Sequence, residues 1–257
     1  MHKCLHTRCR RARFLRWHPC CLLLLFVLAG CSSVLNGVGT SPETLGTSSL
    51  AASMLPPRVD GGDESLLSRQ LARVQQIMGG MTLDQKLGQL LVVEYLGNDY
   101  ATDLQYMIAH QYVGGFLYQF SNHNFDPPDD VASNLAAFSR QAIMDAPIPL
   151  LIGTDQEGGL VNRLYTFHGY LPSAAEMAAT GDPRFAYSQG ATSAKWLTQL
   201  GINADLAPVV DVQTVNPPVL ETRMFGSTPD TVATYAGAFL NGLQQNSVIG
   251  CLKHFPG

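Results

Sequence analysis

The chain has 257 residues, of which 46% are hydrophobic, so it can build a sizeable core and is not an intrinsically disordered protein. Its formal charge of -4 hides an asymmetry, because six of the 16 basic residues and none of the 20 acidic ones precede residue 20. The remainder carries ten basic against twenty acidic residues, a formal charge of -10, and we therefore expect no nucleic-acid partner.

The first 31 residues have the layout of an export signal, with a basic start, an apolar run over 20–29 and small residues before a cysteine. The apolar run is shorter than the roughly 20 residues that a membrane-spanning helix needs. The end of this segment, Leu28-Ala29-Gly30-Cys31, resembles the bacterial lipobox, in which the cysteine is lipidated and becomes the first mature residue. We therefore predict a lipoprotein signal peptide over 1–30 and an exported protein that is anchored to the membrane of the bacterial cell envelope by lipid on Cys31.

Residues 32–62 are rich in Ser, Gly, Thr and Pro and lack a sustained period, which predicts a flexible tether after the lipidated cysteine. The folded domain is predicted to cover 63–257. Once the signal peptide is removed, only Cys31 and Cys251 remain, so no internal disulfide is expected. No motif indicates a metal site or an organic cofactor.

Apolar periodicity and turn residues predict helices that alternate with short buried strands. A capping-box pattern at Thr82 to Gln85 opens a further short helix. The predicted helices cover 63–78, 102–110, 129–144, 183–200 and 229–245, and the predicted strands cover 90–93, 113–117, 150–152, 202–206 and 248–252.

This alternation indicates parallel βα units in an α/β fold. Five strands in about 195 residues are too few for a closed eight-stranded barrel, which typically takes about 250 residues. The pattern leaves two architectures open, an open doubly wound sheet and a barrel of which this chain supplies only a part.

Charged side chains follow three of the predicted strands, where ligand-binding groups gather in parallel α/β proteins. Together they offer carboxylates that accept hydrogen bonds from hydroxyl groups and cations that donate to oxygen atoms. Such a set suits a polyhydroxylated ligand. The pairs are Asp155 with Arg163, Asp211 with Arg223, and Lys253 with His254.

Ordered motifs over about residues 64–257 resemble the N-terminal barrel of glycoside hydrolase family 3, in its β-N-acetylhexosaminidase branch. The resemblance implies a (β/α)8 barrel of the triosephosphate isomerase type, with about five of its eight units present here. The motifs lie at 81–90, 114–115, 153–159 with Arg163, 201–212, 223–226 and 253–257, and the most specific are Asp155-Gln156-Glu157-Gly158-Gly159 and Lys253-His254-Phe255-Pro256-Gly257.

The resemblance also implies an activity, the hydrolysis of terminal non-reducing β-N-acetylglucosamine from peptidoglycan fragments or chitooligosaccharides by a retaining two-step mechanism. It gives Asp211 no firm role. His123 and His168 match no motif position and are interpreted as exposed loop residues. The residues that it implies for binding the terminal N-acetylglucosamine are Asp155, Arg163, Arg223, Lys253 and His254.

No catalytic residue is assigned within the chain. In the family, the nucleophile and the acid/base pair follow the stretch that ends here at Gly257, so the chain alone is expected to be inactive. Asp155 and Glu157 cannot easily serve instead, because alternate residues of one short turn do not flank a sugar. Two alternatives stay open, a non-catalytic sugar-binding surface lipoprotein and a β-glucosidase of the same family.

Overall fold

The computed structural model describes residues 64–126, 131–214 and 220–255. The predicted signal peptide, the lipidation site at Cys31 and the tether lie outside the described residues, and so do Asp63, the expected cap of the first helix, and Pro256-Gly257.

The predicted helices and strands occur in the predicted order, and two short strands and two short helices lie within residues 156–179, where none was predicted. The helices are α1 (Glu64–Gly79), α2 (Leu83–Gly88), α3 (Thr102–His110), α4 (Val131–Asp145), α5 (Tyr165–His168), α6 (Ala174–Ala179), α7 (Pro183–Gln199) and α8 (Pro229–Gln245). The strands are β1 (Val92–Glu94), β2 (Gly115–Leu117), β3 (Leu151–Thr154), β4 (Gln156–Gly158), β5 (Val161–Asn162), β6 (Ala204–Asp205) and β7 (Ile249–Gly250).

Local sequence signals fix several helix starts. The Thr82 hydroxyl accepts from the backbone N–H of Gln85, whose side chain accepts from the backbone N–H of Thr82, so the predicted capping box is present. Asp182 caps α7 ahead of Pro183, which fits the first turn because it lacks an N–H to satisfy. These starts agree with the sequence because capping depends on residues only two or three positions apart.

Five strands form one parallel sheet in the order β1-β2-β3-β6-β7. Each strand therefore lies next to its predecessor in the chain, apart from the β4-β5 hairpin that follows β3. A doubly wound sheet reverses its strand order at a switch point, whereas a barrel adds its strands in sequence. The strand order thus decides between the two predicted architectures in favour of an incomplete α/β barrel, although most strands are shorter than predicted.

The helices α7 and α8 pack closely in the outer layer because glycines face each other's backbone. A Cβ at Gly190 would lie 2.1 Å from the carbonyl oxygen of Phe239, and one at Gly242 would lie 2.2 Å from that of Tyr187. No side chain fits at either position, so this approach requires glycine. The buried apolar core of the described residues includes Phe116, Ile152, Ala186, Leu197, Phe239 and Leu243.

Apolar residues on α1 and on the edge strand β7 stay exposed. Leu67, Leu71 and Val74 recur at helical spacing on α1 and are about half exposed, and Ile249 on the edge strand β7 is similarly open. No described helix combines the length and the apolar character that crossing a membrane demands.

Candidate functional site

The predicted site residues lie at the carboxyl end of the sheet, where β3, β6 and β7 terminate. Asp155 follows β3 directly, and Lys253 pairs with Val209 in an isolated parallel bridge beyond β6 and β7. The segment after Asp155 is not the simple turn that the sequence indicated, because Gln156–Gly158 and Val161–Asn162 form an antiparallel hairpin. Glu157 therefore lies within an extended strand, and Asp155 lies between β3 and that strand.

The buried side chain of Gln156 fixes this hairpin. It donates to the Asn162 side-chain oxygen at 2.8 Å and accepts from the backbone N–H of Leu164 at 3.1 Å. Because the two bonded residues flank Arg163, the same amide also places this arginine.

Gly158 and Gly159 allow the hairpin to bend. Both have positive φ, at 92° and 56°, and a Cβ at Gly158 would lie 2.1 Å from the carbonyl oxygen of Pro172. Only glycine combines this backbone conformation with so close an approach. The glycine pair of the motif thus fixes the position of the acidic residues before it.

Lys253 joins two carboxylates. Its Nζ lies 2.5 Å from Asp155 Oδ1 and 2.6 Å from Glu157 Oε1, and all three side chains are largely buried. Burial alone would raise the pKa of Asp155, but the charge and hydrogen bond of Lys253, helped by Gln119 and Arg163, hold it below its ordinary value. Asp155 is therefore ionised at neutral pH and can accept from hydroxyl groups.

Glu157 forms a second ion pair that the sequence analysis missed. Arg223 donates from Nε to Glu157 Oε2 at 2.7 Å and from Nη2 to Oε1 at 2.8 Å. These hydrogen bonds raise the pKa of the Arg223 guanidinium. The two residues stand 66 positions apart, so no local pattern could have revealed their contact.

Asp211, which had no firm role, contacts a predicted site residue. Its Oδ2 lies 2.6 Å from His254 Nδ1, with the Asp211 side chain mostly buried and His254 about half exposed. Because a carboxylate oxygen accepts hydrogen bonds, this contact favours the His254 tautomer that carries a hydrogen on Nδ1. Asp211 therefore orients the His254 ring.

Arg163 has a different environment from the other two cations. Its guanidinium carbon lies 5.3 Å from the ring centroid of Phe120. Its Nε is buried and has no hydrogen-bond partner among the described residues. A buried donor without a partner is costly, so a ligand oxygen that came within reach of this atom would gain a hydrogen bond.

Gln119, just past β2, is a further polar residue of the site that the sequence analysis did not select. It donates from Nε2 to Asp155 Oδ2 at 2.9 Å. Its backbone N–H donates to Asn124 Oδ1 at 2.7 Å, which fixes the loop. Its place after a strand could have identified it, but a neutral amide stands out less than a charge.

Asp205, at the end of β6, is fully buried beneath the site. Its carboxylate accepts from the backbone N–H of Gln156 at 2.9 Å and from the Ser193 hydroxyl at 3.3 Å. Burial raises its pKa well above the ordinary value, and these hydrogen bonds and the charge of Lys253 offset only part of that effect.

The two unassigned histidines differ from each other. His123 is exposed, as expected, and lies 2.7 Å from Asp126. The expectation was wrong for His168, which ends α5 and stacks on Trp196 with 5.0 Å between ring centroids. Burial lowers its pKa, so packing against the indole favours a neutral ring.

The structure brings Asp155, Lys253, Arg163 and the Glu157–Arg223 pair close together, with His254 held by Asp211 at the same end of the sheet. This arrangement can bind hydroxyl and carbonyl oxygens from several directions. Across the residues that the structure describes, no three His, Cys, Asp or Glu side chains are grouped to hold a metal ion.

Comparison with known proteins identifies the family. The β-hexosaminidase LpqI of Mycobacterium tuberculosis is 34% identical over 221 residues, which are 85% of this chain and 53% of LpqI. A β-N-acetylglucosaminidase/β-glucosidase of Cellulomonas fimi is 28% identical over 73% of this chain and 31% of its own. The glycoside hydrolase family 3 β-N-acetylglucosaminidase structure from Paenibacillus sp. str. FPU-7 matches with a TM-score of 0.65 and 32% identity, over 69% of this chain and 34% of the other.

The chain thus spans about half the length of LpqI, or less of the other two. The model of the glycosyl hydrolase family 3 N-terminal domain matches residues 82–257, which include every predicted sugar-binding residue. This chain belongs to the glycosyl hydrolase family 3 N-terminal domain family.

Proposed function

We propose that the complete protein is a β-N-acetylhexosaminidase that removes terminal non-reducing β-N-acetylglucosamine from peptidoglycan fragments or chitooligosaccharides. One observation carries this proposal, the convergence of Asp155, Lys253 and the arginines at the carboxyl end of the sheet in a chain of this family. The name of LpqI, a β-hexosaminidase, supports this choice within the family.

In the proposed site, the terminal sugar is bound by the five predicted residues. Asp155 and the Lys253–His254 pair contact ring hydroxyls, and the free Nε of Arg163 donates to a sugar oxygen. Arg223 lies beside Lys253, and both cations form ion pairs with Glu157. No metal or organic cofactor is required by this binding chemistry.

The proposed chemistry is a retaining two-step hydrolysis, which needs two groups on opposite sides of the scissile bond, about 5 to 5.5 Å apart when both are carboxyls. Asp155 and Glu157 cannot be this pair, because the Lys253 ammonium lies between them and forms an ion pair with each. We therefore place the nucleophile and the acid/base group beyond Gly257, as the family resemblance implies.

The test is an assay of the protein expressed from its complete gene on two chromogenic substrates, an aryl N-acetyl-β-glucosaminide and an aryl β-glucoside. We expect at least about tenfold higher kcat/KM on the first, because a site that hydrogen-bonds the acetamido group loses those bonds with glucose. A preference for the glucoside would make the protein a β-glucosidase, an activity that the name of the C. fimi relative includes. Binding of N-acetylglucosamine without hydrolysis of either substrate would favour the sugar-binding lipoprotein.

We also propose that the protein is exported and held at the membrane of the cell envelope by lipid on Cys31. The basic start, the short apolar run and the Leu28-Ala29-Gly30-Cys31 sequence support this localisation. Cell fractionation with detergent phase separation tests it, since the wild type should enter the detergent phase and the Cys31→Ser variant should not. Recovery of both proteins in the aqueous phase would contradict lipidation.

A further inference from the structure

Glu157 accepts two hydrogen bonds from Arg223 and forms an ion pair with Lys253, yet its side chain is almost inaccessible. Its side chain is 5% exposed, whereas that of Asp155 is 17% exposed. One oxygen accepts from Arg223 Nε, and the other accepts from Arg223 Nη2 and lies 2.6 Å from Lys253 Nζ in an ion pair. A carboxylate surrounded in this way has little surface left for a sugar.

We propose that Glu157 is a positioning residue, which holds Arg223 and Lys253 side by side for the sugar that Asp155 contacts; this role rests on the proposed function. The two cations each lie within 2.8 Å of the same Glu157 oxygen. At this separation they would repel each other if no anion lay between them. Glu157 supplies that anion before any ligand is present.

The position of Glu157 is fixed by its own strand. The residue before it donates its backbone N–H to the buried Asp205, and the residue after it is Gly158, pressed against the Pro172 carbonyl. The carboxylate is therefore held in place by the hairpin, and the long side chains of Arg223 and Lys253 are ordered around it. Such preorganisation lowers the conformational entropy that ligand binding would otherwise cost.

Arg223 depends most on this contact. It lies in the short 3-10 turn Glu221–Arg223, and its Nε and Nη2 both donate to Glu157. Lys253 keeps a second carboxylate, Asp155, if Glu157 is neutralised. Loss of the Glu157 charge should therefore release Arg223. Lys253 would then pair with Asp155 alone, and the Asp155 oxygen that it contacts would be less available to a sugar.

The test uses the protein expressed from its complete gene, with Glu157→Gln and the matched control Glu221→Gln, which neutralises an exposed acid in the turn of Arg223. Calorimetric titration measures the affinity for N-acetylglucosamine. The NMR signal and solvent exchange of the Arg223 Nε–H, assigned with Arg223→Lys, report its hydrogen bond without ligand.

We expect Glu157→Gln to weaken binding by about tenfold or more and to shift the Arg223 Nε–H signal with faster exchange, since the carboxylate acceptor becomes a neutral amide and the ion pair is lost. Glu221→Gln should change neither. Glu157→Asp keeps the charge on a shorter side chain, so its affinity and its Arg223 Nε–H signal should lie between those of the wild type and Glu157→Gln. This variant replaces Glu157→Gln in the test if Glu157→Gln does not fold.

An unchanged affinity in Glu157→Gln would overturn the positioning role. Weaker binding with an unchanged Arg223 signal would also overturn it, because Glu157 would then contact the sugar directly. If the wild type does not bind N-acetylglucosamine, the proposed function fails. The NMR measurement needs no sugar, so an Arg223 signal that does not respond to Glu157→Gln would overturn the positioning role independently.

Discussion

The α7–α8 helix pair and the site at the strand ends are both closely packed, but different interactions hold them together. The helices meet through glycine and apolar side chains, with Gly190 against the Phe239 backbone. At the strand ends, the acids Asp155 and Glu157 meet cations that come from later strands and loops. Close packing therefore holds the helix pair together, whereas ion pairs hold the site together.

This difference separates what each region contributes. Contacts between apolar groups and backbone carry no titratable charge, so their stabilising effect should change little between pH 4 and pH 8. Buried ion pairs stabilise little on balance, because the cost of desolvating the charges offsets their attraction, and they depend on the protonation of both partners. We therefore expect substitutions in the helix pair to affect folding at every pH, and substitutions at the strand ends to affect binding and the pH dependence of stability.

The largest loss of stability should come from Gly190→Ala in the helix pair. The added Cβ would lie 2.1 Å from a backbone carbonyl oxygen, which forces α7 and α8 apart and costs about 3 kcal/mol of unfolding free energy. Urea unfolding measures this loss, which should be similar at pH 5 and pH 7.

The matched control is Gly237→Ala on α8, where a Cβ would meet nothing within 4 Å. Alanine there should stabilise the protein by up to about 1 kcal/mol because it favours the helix over glycine. Equal effects of the two substitutions would show that the close approach of the helices does not limit stability.

A smaller loss that depends on pH is expected for Lys253→Met at the strand ends. It leaves Asp155 and Glu157 without their shared cation and should cost about 2 kcal/mol at pH 7. The pKa of Asp155 is lowered in the folded state, so its ion pair stabilises the protein above the ordinary pKa of 3.8 and loses that effect as the pH falls through the lowered value.

In Lys253→Met, burial without the ammonium would instead raise the pKa of Asp155, so the gap to the wild type should narrow from pH 7 to pH 4. Unfolding at both pH values measures the gap, with Lys195→Met on an exposed position of α7 as the control. A gap of the same size at pH 4 would argue against this electrostatic account.

The smallest effect, with the opposite pH dependence, is expected for Asp205→Asn. Burial raises the pKa of Asp205, so the folded state holds the Asp205 proton more tightly than the unfolded state does. The resulting stabilisation is complete below pH 3.8 and is lost as the pH rises through the raised pKa. Asparagine cannot titrate, so stability should vary less between pH 4 and pH 8, with a change within about 1 kcal/mol at pH 7. An unaltered pH profile in urea unfolding would show that Asp205 does not titrate in this range.

The sequence predicted the features that depend on neighbouring residues. Helices α3 and α8 have the predicted bounds, and the capping box at Thr82 is present, because periodicity and capping act over a few positions. A second capping box, Ser173 with Glu176, opens α6 and could have been recognised by the same signal.

The contacts within the site could not be predicted in the same way. Arg223 contacts Glu157, which lies 66 positions away in the sequence, and Lys253 contacts Asp155, which lies 98 positions away. Only the order of the strands in the sheet brings these residues together. The apolar stripe of α1 gives a second example, because periodicity predicts which face of the helix is apolar but not what covers it, and Leu71 remains exposed. Motifs identified the residues, and the fold supplied their partners.

The central claim, a binding site for N-acetylglucosamine at the strand ends, is tested most directly by a crystal structure of the protein from its complete gene with this sugar bound. The account predicts one bound sugar whose hydroxyls lie within about 3 Å of Asp155, Lys253 and His254. The Arg163 Nε should donate to a sugar oxygen. Glu157 should remain paired with Arg223 and should not contact the sugar. A sugar bound elsewhere on the molecule, or these side chains unoccupied at saturating sugar, would contradict it.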